Sequence, residues 1–324
     1  MDELILYLDP VNETSRTFIK DLAPCGFEVC FARSDGNLLE GIYSLDVRYL
    51  LVASAKVTKD IMLGCKNLNL IQKTGSGTEN IDKEAAASLG IPVTATPGAN
   101  SVAVAELVIL YILALYRNLI ELDRTTKNGS WLMWEKRHQC FELKGKEVGL
   151  IGFGSIGKAL NRRLQGFEAR VSYYDIKRLD QSEEKALGIQ FRELKDILLY
   201  SDVISLHLPL NASTRNLIGK QQLEIVKSNC ILINTSRGAV IDEAALIDAL
   251  ECGKLAGAAL DTYENEPIKA DNPLLKFKNV ITTPHVGAGT IDTWKTVLLE
   301  AFENINRVSE GCSPHNVVND VVRL

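Results

Sequence analysis

A chain of 324 residues with 36 Lys and Arg against 41 Asp and Glu carries a formal charge of −5, which argues against nucleic acid or an anionic membrane as its main partner. Its 46 % hydrophobic content is enough for the cores of one large domain or two ordinary ones. Seven scattered cysteines with no Cys-x-x-Cys pair read as reduced, mostly buried thiols of a cytoplasmic protein, with neither a disulfide framework nor a metal site.

The N-terminus, Met1 to Asp9, is acidic and passes straight into a strand, so it does not read as a signal peptide. Strand-like runs follow near 3–9, 28–32, 49–54, 68–74 and 92–95, with a helix over 84–87 that Asp82 caps and Gly90 ends. From Ser101 to about Lys127 the pattern predicts one long helix, apolar on nearly every face and so buried all round. An interdomain core and a second subunit are equally good coverings for it. Its most apolar part, Val102 to Tyr116, is interrupted by Glu106 and too short to span a bilayer. A second series of strands starts at 146 and continues at 170–175, 202–208, 229–235, 256–261 and 279–283. The last helix, near Asp292 to Ser309, comes after that series is complete and is expected to return to the first domain. The alternation predicts α/β architecture with two doubly wound parallel sheets. The expected domains are 1–99 with 288–324, and 100–287.

The second series opens on Val148-Gly149-Leu150-Ile151-Gly152-Phe153-Gly154-Ser155-Ile156-Gly157, a strand ending in Gly-x-Gly-x-x-Gly before a helix starting near Lys158. Gly152 permits a tight turn, Gly154 lets backbone approach a pyrophosphate, and Gly157 lets helix and strand pack closely. The next strand ends in Asp175, placed to grip the adenosine ribose. A carboxylate there accepts from both ribose hydroxyls and repels a 2′-phosphate, which favours NAD over NADP. Lys177 and Arg178 follow as exposed loop charges, which can also soften that repulsion.

Three further clusters fall at carboxyl ends of expected strands, where open α/β sheets bind ligands. The first, Asn234 to Asp242, holds Arg237, whose guanidinium fork suits a carboxylate. The second, Ala259 to Pro267, is rich in carboxylates; the third, Ile281 to Gly289, carries His285. His207 and Pro209 at another strand end line the expected cofactor cleft. Together the clusters read as an anion clamp plus an acid/base pair, since a carboxylate beside an imidazole favours its protonated form.

With Gly75-Ser76-Gly77-Thr78-Glu79-Asn80-Ile81-Asp82, Thr96-Pro97-Gly98-Ala99-Asn100 and Ala105-Glu106 added, nearly the whole chain resembles the D-isomer-specific 2-hydroxyacid dehydrogenase family. The resemblance implies a Rossmann NAD-binding domain at 100–287 and a discontinuous, flavodoxin-like substrate-binding domain. It implies NAD as cofactor, a small 2-keto or 2-hydroxy acid as substrate and a homodimer built through 101–127. By motif position, Arg237 binds the substrate carboxylate, His285 is the proton donor or acceptor, and Glu266, directly before Pro267, pairs with it in preference to Glu264. Ser54 and the N–H groups of Ser76 and Gly77 complete the substrate site, and Asp261 holds the nicotinamide carboxamide. Further cofactor contacts are implied at Ser155, Ile156, Thr214, Thr235, Ser236, His285 and Gly287.

Much of the chain is similar to D-3-phosphoglycerate dehydrogenases, whose members carry an arginine before the serine matching Ser54. Here Ala53 stands in its place. A phosphate needs cations or several N–H donors, so that substrate requires Lys56, Lys73 or backbone groups to replace the arginine. Glyoxylate, hydroxypyruvate or another small 2-keto acid needs no such replacement. A reading from another class is an NAD(H)-sensing, corepressor-like binding protein, which can keep the same three residues.

Overall fold

The computed structural model describes residues 2–32 and 45–321. The chain divides into two compact units, 1–100 with 290–324, and 101–289.

The first unit opens with β1 (Glu3–Tyr7), α1 (Glu13–Leu22), β2 (Phe27–Phe31), β3 (Val47–Val52), α2 (Lys59–Gly64), β4 (Leu70–Lys73), α3 (Lys83–Ser88) and β5 (Val93–Thr94). Its five strands are all parallel, in the order β2-β1-β3-β4-β5. The near-continuous apolar runs follow from this, because a parallel sheet is covered on both faces. One face packs Leu6, Leu50, Val52 and Ile71 against Ile61, Met62 and Ala86. The other packs Ile5, Tyr49, Leu51 and Leu70 against Ile19 and the late residues Leu298, Phe302 and Ile305. Each Leu, Ile, Val, Met or Phe among them, fully buried, contributes about 1.5–3 kcal/mol. Asp82 caps α3 as expected, its side chain accepting the Ala85 N–H, and Gly90 follows with φ +67°.

The second unit contains α4 (Ser101–Tyr116), α5 (Leu119–Lys127), β6 (Glu147–Ile151), α6 (Ser155–Gly166), β7 (Arg170–Tyr174), α7 (Gln181–Leu187), β8 (Gln190–Phe191) and α8 (Leu194–Tyr200). It continues with β9 (Val203–Leu206), α9 (Lys220–Ile225), β10 (Ile231–Asn234), α10 (Glu243–Glu251), β11 (Gly257–Leu260) and β12 (Val280–Thr282). Its sheet is parallel throughout, in the order β12-β11-β10-β9-β6-β7-β8. The order reverses between β6 and β9, and that switch point is where such sheets take ligands. The last helix, α11 (Ile291–Ser309), packs on the first unit's sheet. The protein is thus α/β, with a seven-stranded Rossmann domain and a discontinuous five-stranded partner of flavodoxin-like strand order.

Three expectations differ from the structure. The 101–127 segment is two helices bent by 61° and not one. The break lies at Arg117 and Asn118, where Asn118 takes φ +50° and its side chain donates to the Gln139 carbonyl. Nor is the segment buried all round, since Val102 and Leu110 are each 54 % exposed. Among the described residues no single helix is long and apolar enough to cross a membrane. The cysteines are all free, but only Cys65 and Cys230 are buried, while Cys25, Cys252 and Cys312 are exposed. Those three lie beyond helix ends or in turns, outside the apolar strands that suggested burial.

Candidate active site

At the switch point of the second unit, Gly152 follows β6 with φ +94°. A Cβ there would lie 2.3 Å from the His207 carbonyl oxygen, so only glycine lets the ends of β6 and β9 approach this closely. Helix α6 starts at Ser155 and not near Lys158, because the Lys158 N–H already bonds the Gly154 carbonyl at 3.0 Å. That geometry leaves the N–H groups of Ser155, Ile156 and Gly157 without helical acceptors at a positive dipole end. A Cβ on Gly154 would meet nothing within 4 Å, so an open cradle faces those donors.

Asp175 follows β7 and accepts the Phe153 N–H at 2.7 Å and the Lys177 N–H at 3.0 Å, which ties it to the glycine turn. Lys177 is exposed as expected. Arg178 is exposed in the same loop as expected, and it pairs with Glu184 at 2.9 Å and lies over the Phe191 ring at 4.9 Å. Both contacts turn its guanidinium towards α7 and β8.

Thr214 closes the turn after Pro209 by donating its hydroxyl to the Pro209 carbonyl at 2.6 Å. Thr235 and Ser236 are buried after β10. Ser236 is fixed by Asn234, whose Oδ1 accepts both its N–H and its hydroxyl, while the Thr235 hydroxyl has no partner among the described residues. An open glycine cradle, unpaired helix N–H groups, a carboxylate beyond the second strand and an orphaned buried hydroxyl fit a dinucleotide.

His207 follows β9, with Nε2 at 3.0 Å from the Ser205 hydroxyl and a buried Nδ1 that has no partner among the described residues. Burial holds its pKa down to about 4, below the ordinary 6.5. Between those values the unfolded chain binds a proton that the folded one does not, so stability falls as pH is lowered through this window. The expected loss is on the order of 3 kcal/mol. Melting temperatures of the wild type and His207→Gln, followed from neutral to acid pH, test this. The wild type should fall more steeply, and parallel curves would contradict the assignment.

The chemistry sits at the other strand ends. Arg237 leaves β10 with its guanidinium donating to the Ser236 carbonyl at 2.9 Å, and the Asn234 side-chain amide donates to the Arg237 carbonyl at 2.9 Å. Next to it, a Cβ on Gly238 would lie 1.9 Å from the Tyr263 carbonyl carbon and 2.4 Å from the Glu264 nitrogen. The missing side chain therefore lets the arginine loop rest directly on the backbone that leads to Glu266. Glu266 accepts the Tyr263 N–H at 3.1 Å through Oε1 and contacts His285 Nδ1 at 2.8 Å through Oε2. Both side chains are partly exposed, 37 % and 49 %, so the contact orients the ring more than it stabilises the fold.

His285 adopts φ +54°, a region that costs a non-glycine residue on the order of 1 kcal/mol. Asp261 holds it there. Its buried carboxylate accepts the N–H groups of Val286 at 2.8 Å and Gly287 at 2.7 Å, together with the Thr283 hydroxyl at 2.5 Å. A Cβ on Gly287 would crowd the same carboxylate at 3.0 Å. The structure thus brings His285 and Glu266 into contact and seats the Arg237 loop beside them. Glu264 is exposed and makes no contact with His285.

In the first unit, Ser54 and Ser76 are exposed beyond β3 and β4, and Gly77 is half-buried. Lys56 is exposed. Lys73 is buried, its ammonium donating to the Ala53 carbonyl and to Asn80 Oδ1 at 3.2 Å.

Four residues escaped the sequence reading. Asp9 gathers the backbone of the Ser54 loop, Gly238 permits the loop contact, and Asn234 fixes Ser236. Tyr263 braces two strand ends by donating to the carbonyls of Leu260 at 3.1 Å and Thr283 at 2.9 Å. Only Asp9 carried a local signal, a carboxylate at the carboxyl end of the first parallel strand.

A sequence profile described as "D-isomer specific 2-hydroxyacid dehydrogenase, NAD binding domain" matches residues 109–287. A glyoxylate reductase of Thermococcus litoralis is 39 % identical over 289 residues, 88 % of this chain and 86 % of the relative. A D-3-phosphoglycerate dehydrogenase of Methanocaldococcus jannaschii is 38 % identical over 97 % of this chain, which spans only 59 % of that relative's length. Among solved structures, the D-lactate dehydrogenase of Escherichia coli superposes with a TM-score of 0.84 at 26 % identity, covering 97 % of this chain and 99 % of the other.

Proposed function

Since the chain belongs to the D-isomer-specific 2-hydroxyacid dehydrogenase family, we propose that it is an NAD-dependent oxidoreductase interconverting a small 2-keto acid and a D-2-hydroxy acid. The observation that carries this reading is the His285–Glu266 contact of 2.8 Å, beside the Arg237 loop at the strand ends of the nucleotide-binding unit. With Nδ1 engaged by Glu266, Nε2 is the ring nitrogen left to move a proton. It accepts the hydroxyl proton in oxidation and returns it to the carbonyl oxygen in reduction. Arg237 clamps the substrate carboxylate with a planar fork and polarises the carbonyl. A bound nicotinamide supplies or takes the hydride. In this reading the glycine loop with Asp175, His207, Pro209, Thr214, Thr235, Ser236, Asp261 and Gly287 holds the cofactor. The first unit contributes Ser54 and the N–H groups of Ser76 and Gly77 to substrate.

Asp175 supports NAD over NADP, and Arg178, one of the two cations that follow it, is engaged by Glu184. Steady-state reduction of glyoxylate and hydroxypyruvate with each cofactor tests the proposal, and the expected result is a clear NADH preference. Equal turnover with NADPH would overturn the cofactor assignment.

Within the family, the first unit's geometry favours an unphosphorylated acid. Ala53 stands in place of an arginine, Lys73 is drawn to backbone and Asn80, and the N–H groups of Ala53, Ser54 and Ala55 are all taken by Asp9. Exposed Lys56 is then the sole lysine of the two considered that is left to meet a phosphate. Exposed apolar side chains at Ile120, Trp131, Met133 and Trp134, each 60 % or more exposed, support a homodimer through the second unit. Light scattering should give twice the chain mass; a monomer would remove this assignment.

A further inference from the structure

We propose that Asp9 is a positioning residue that turns the Ala53–Ala55 loop into a hydrogen-bond acceptor, selecting a 2-keto acid with a hydroxyl on the carbon next to the ketone over one with an anionic group there. The inference rests on the function proposed above. In the first unit the strand order reverses between β1 and β3, so its own switch point lies where Asp9 and Ala53 leave those strands.

Asp9 is 6 % exposed, and among the described residues its carboxylate accepts four donors. These are the N–H groups of Ala53 and Ser54, that of Ala55 at 2.8 Å, and the Ser54 hydroxyl at 2.7 Å. Two of the loop carbonyls are occupied too: Ala53 accepts from Lys73, and Ala55 from the Asn80 side-chain amide at 2.6 Å. Exposed Ser54 therefore has no donor left to offer. Its hydroxyl proton is committed to a carboxylate, which strengthens the remaining lone pairs as acceptors.

The neighbouring turn has the opposite character. Lys73 pairs with Val52 across β3 and β4, and the Thr74 N–H bonds the Val52 carbonyl at 2.8 Å, so the Gly75–Gly77 turn lies beside the Ser54 loop. There the N–H groups of Ser76 and Gly77 have no partner among the described residues. One edge thus offers donors suited to a carboxylate and, next to them, an acceptor suited to a hydroxyl. A phosphate or second carboxylate placed at Ser54 meets lone pairs with a buried carboxylate behind them, and among the described residues the Ala53–Ala55 loop offers it no free N–H or O–H donor, which leaves only the exposed Lys56 side chain to answer its charge.

The test measures dissociation constants of glyoxylate, hydroxypyruvate and 3-phosphohydroxypyruvate by calorimetry on the NAD-loaded protein, where a keto acid has no hydride to accept. Wild type and Asp9→Asn are compared, and turnover with NADH is measured in parallel. The wild type should bind hydroxypyruvate more tightly than the phosphorylated acid. Asp9→Asn, which removes the charge and frees loop donors, should reduce that preference about tenfold, the scale of one hydrogen bond, with affinity for unsubstituted glyoxylate changing least. An unmoved preference, or equal weakening of all three acids, would overturn the proposal. So would fast amide exchange of Ala53–Ala55 in the wild type. Absent turnover in the wild type with the binding preference intact would instead sink the proposed activity and leave the role of Asp9 standing.

Discussion

His285→Ala should lower kcat/KM by about 10²–10⁴, the usual worth of a positioned general acid or base, while NADH binding, held mainly by the glycine cradle, is largely kept. The expectation follows from where the ring sits. Its backbone is held in the left-handed region by the Asp261 carboxylate, and its Nδ1 is held by Glu266. Neither partner belongs to the glycine cradle at Gly152–Gly157, so removing the imidazole leaves the nucleotide-binding backbone untouched. The fall corresponds to about 3–5 kcal/mol of transition-state stabilisation. Glu266→Gln keeps the shape but loses the charge, and its effect should be smaller than that of removing the ring. Near-normal turnover by His285→Ala with full cofactor binding would show that another group moves the proton.

Gly238→Ala should be nearly as damaging, for a steric reason. The added methyl would stand 1.9 Å from the Tyr263 carbonyl carbon, which is backbone and has no rotamer to yield. The two loops must separate, carrying Arg237 away from the segment that holds Glu266. Overpacking of this kind costs about 1–3 kcal/mol of stability, and a 1 Å misplacement of reacting groups costs about 10²-fold in rate. The variant should therefore melt earlier and lose about 10²-fold or more in kcat/KM. Gly154→Ala is the informative contrast, since nothing lies within 4 Å of its new methyl. It should melt like the wild type and be impaired in NADH binding. A Gly238→Ala protein with wild-type melting and turnover would mean that the loops are not locked together.

What was legible in the sequence was what depends on local spacing. The glycine turn, the strand before it and the carboxylate at Asp175 lie within one βαβ unit, so their geometry follows from residue counts. Parallel strands were visible because both of their faces are apolar. The break at Asn118 was not, because its left-handed backbone is supported by Gln139, 21 positions away, while the apolar pattern runs on across it. Strand β8 is two residues long and offers no periodicity. The histidine, glutamate and arginine stand out through motifs and the strands before them through their apolar runs, but the contacts that lock them together do not. Gly238 against Tyr263 and Asp9 against Ser54 are long-range contacts, and a single small or acidic residue gives no sign of its distant partner. Arg178 is the exposed loop charge expected, but its pairing with Glu184 across a turn gives no local sign.

The central claim is turnover of a 2-keto acid, and the most direct measurement is the loss of reduced-nicotinamide absorbance with a panel of such acids. The panel sets hydroxypyruvate, glyoxylate, pyruvate and bulkier branched acids beside 3-phosphohydroxypyruvate. NADH should be consumed with a small unphosphorylated acid, hydroxypyruvate foremost, and much less with the phosphorylated one. Preference for the phosphorylated acid would contradict the reading of Ala53, Lys73 and Asp9. Silence across the panel, with NADH still bound, would contradict the catalytic claim itself and point to a protein whose output is nucleotide binding.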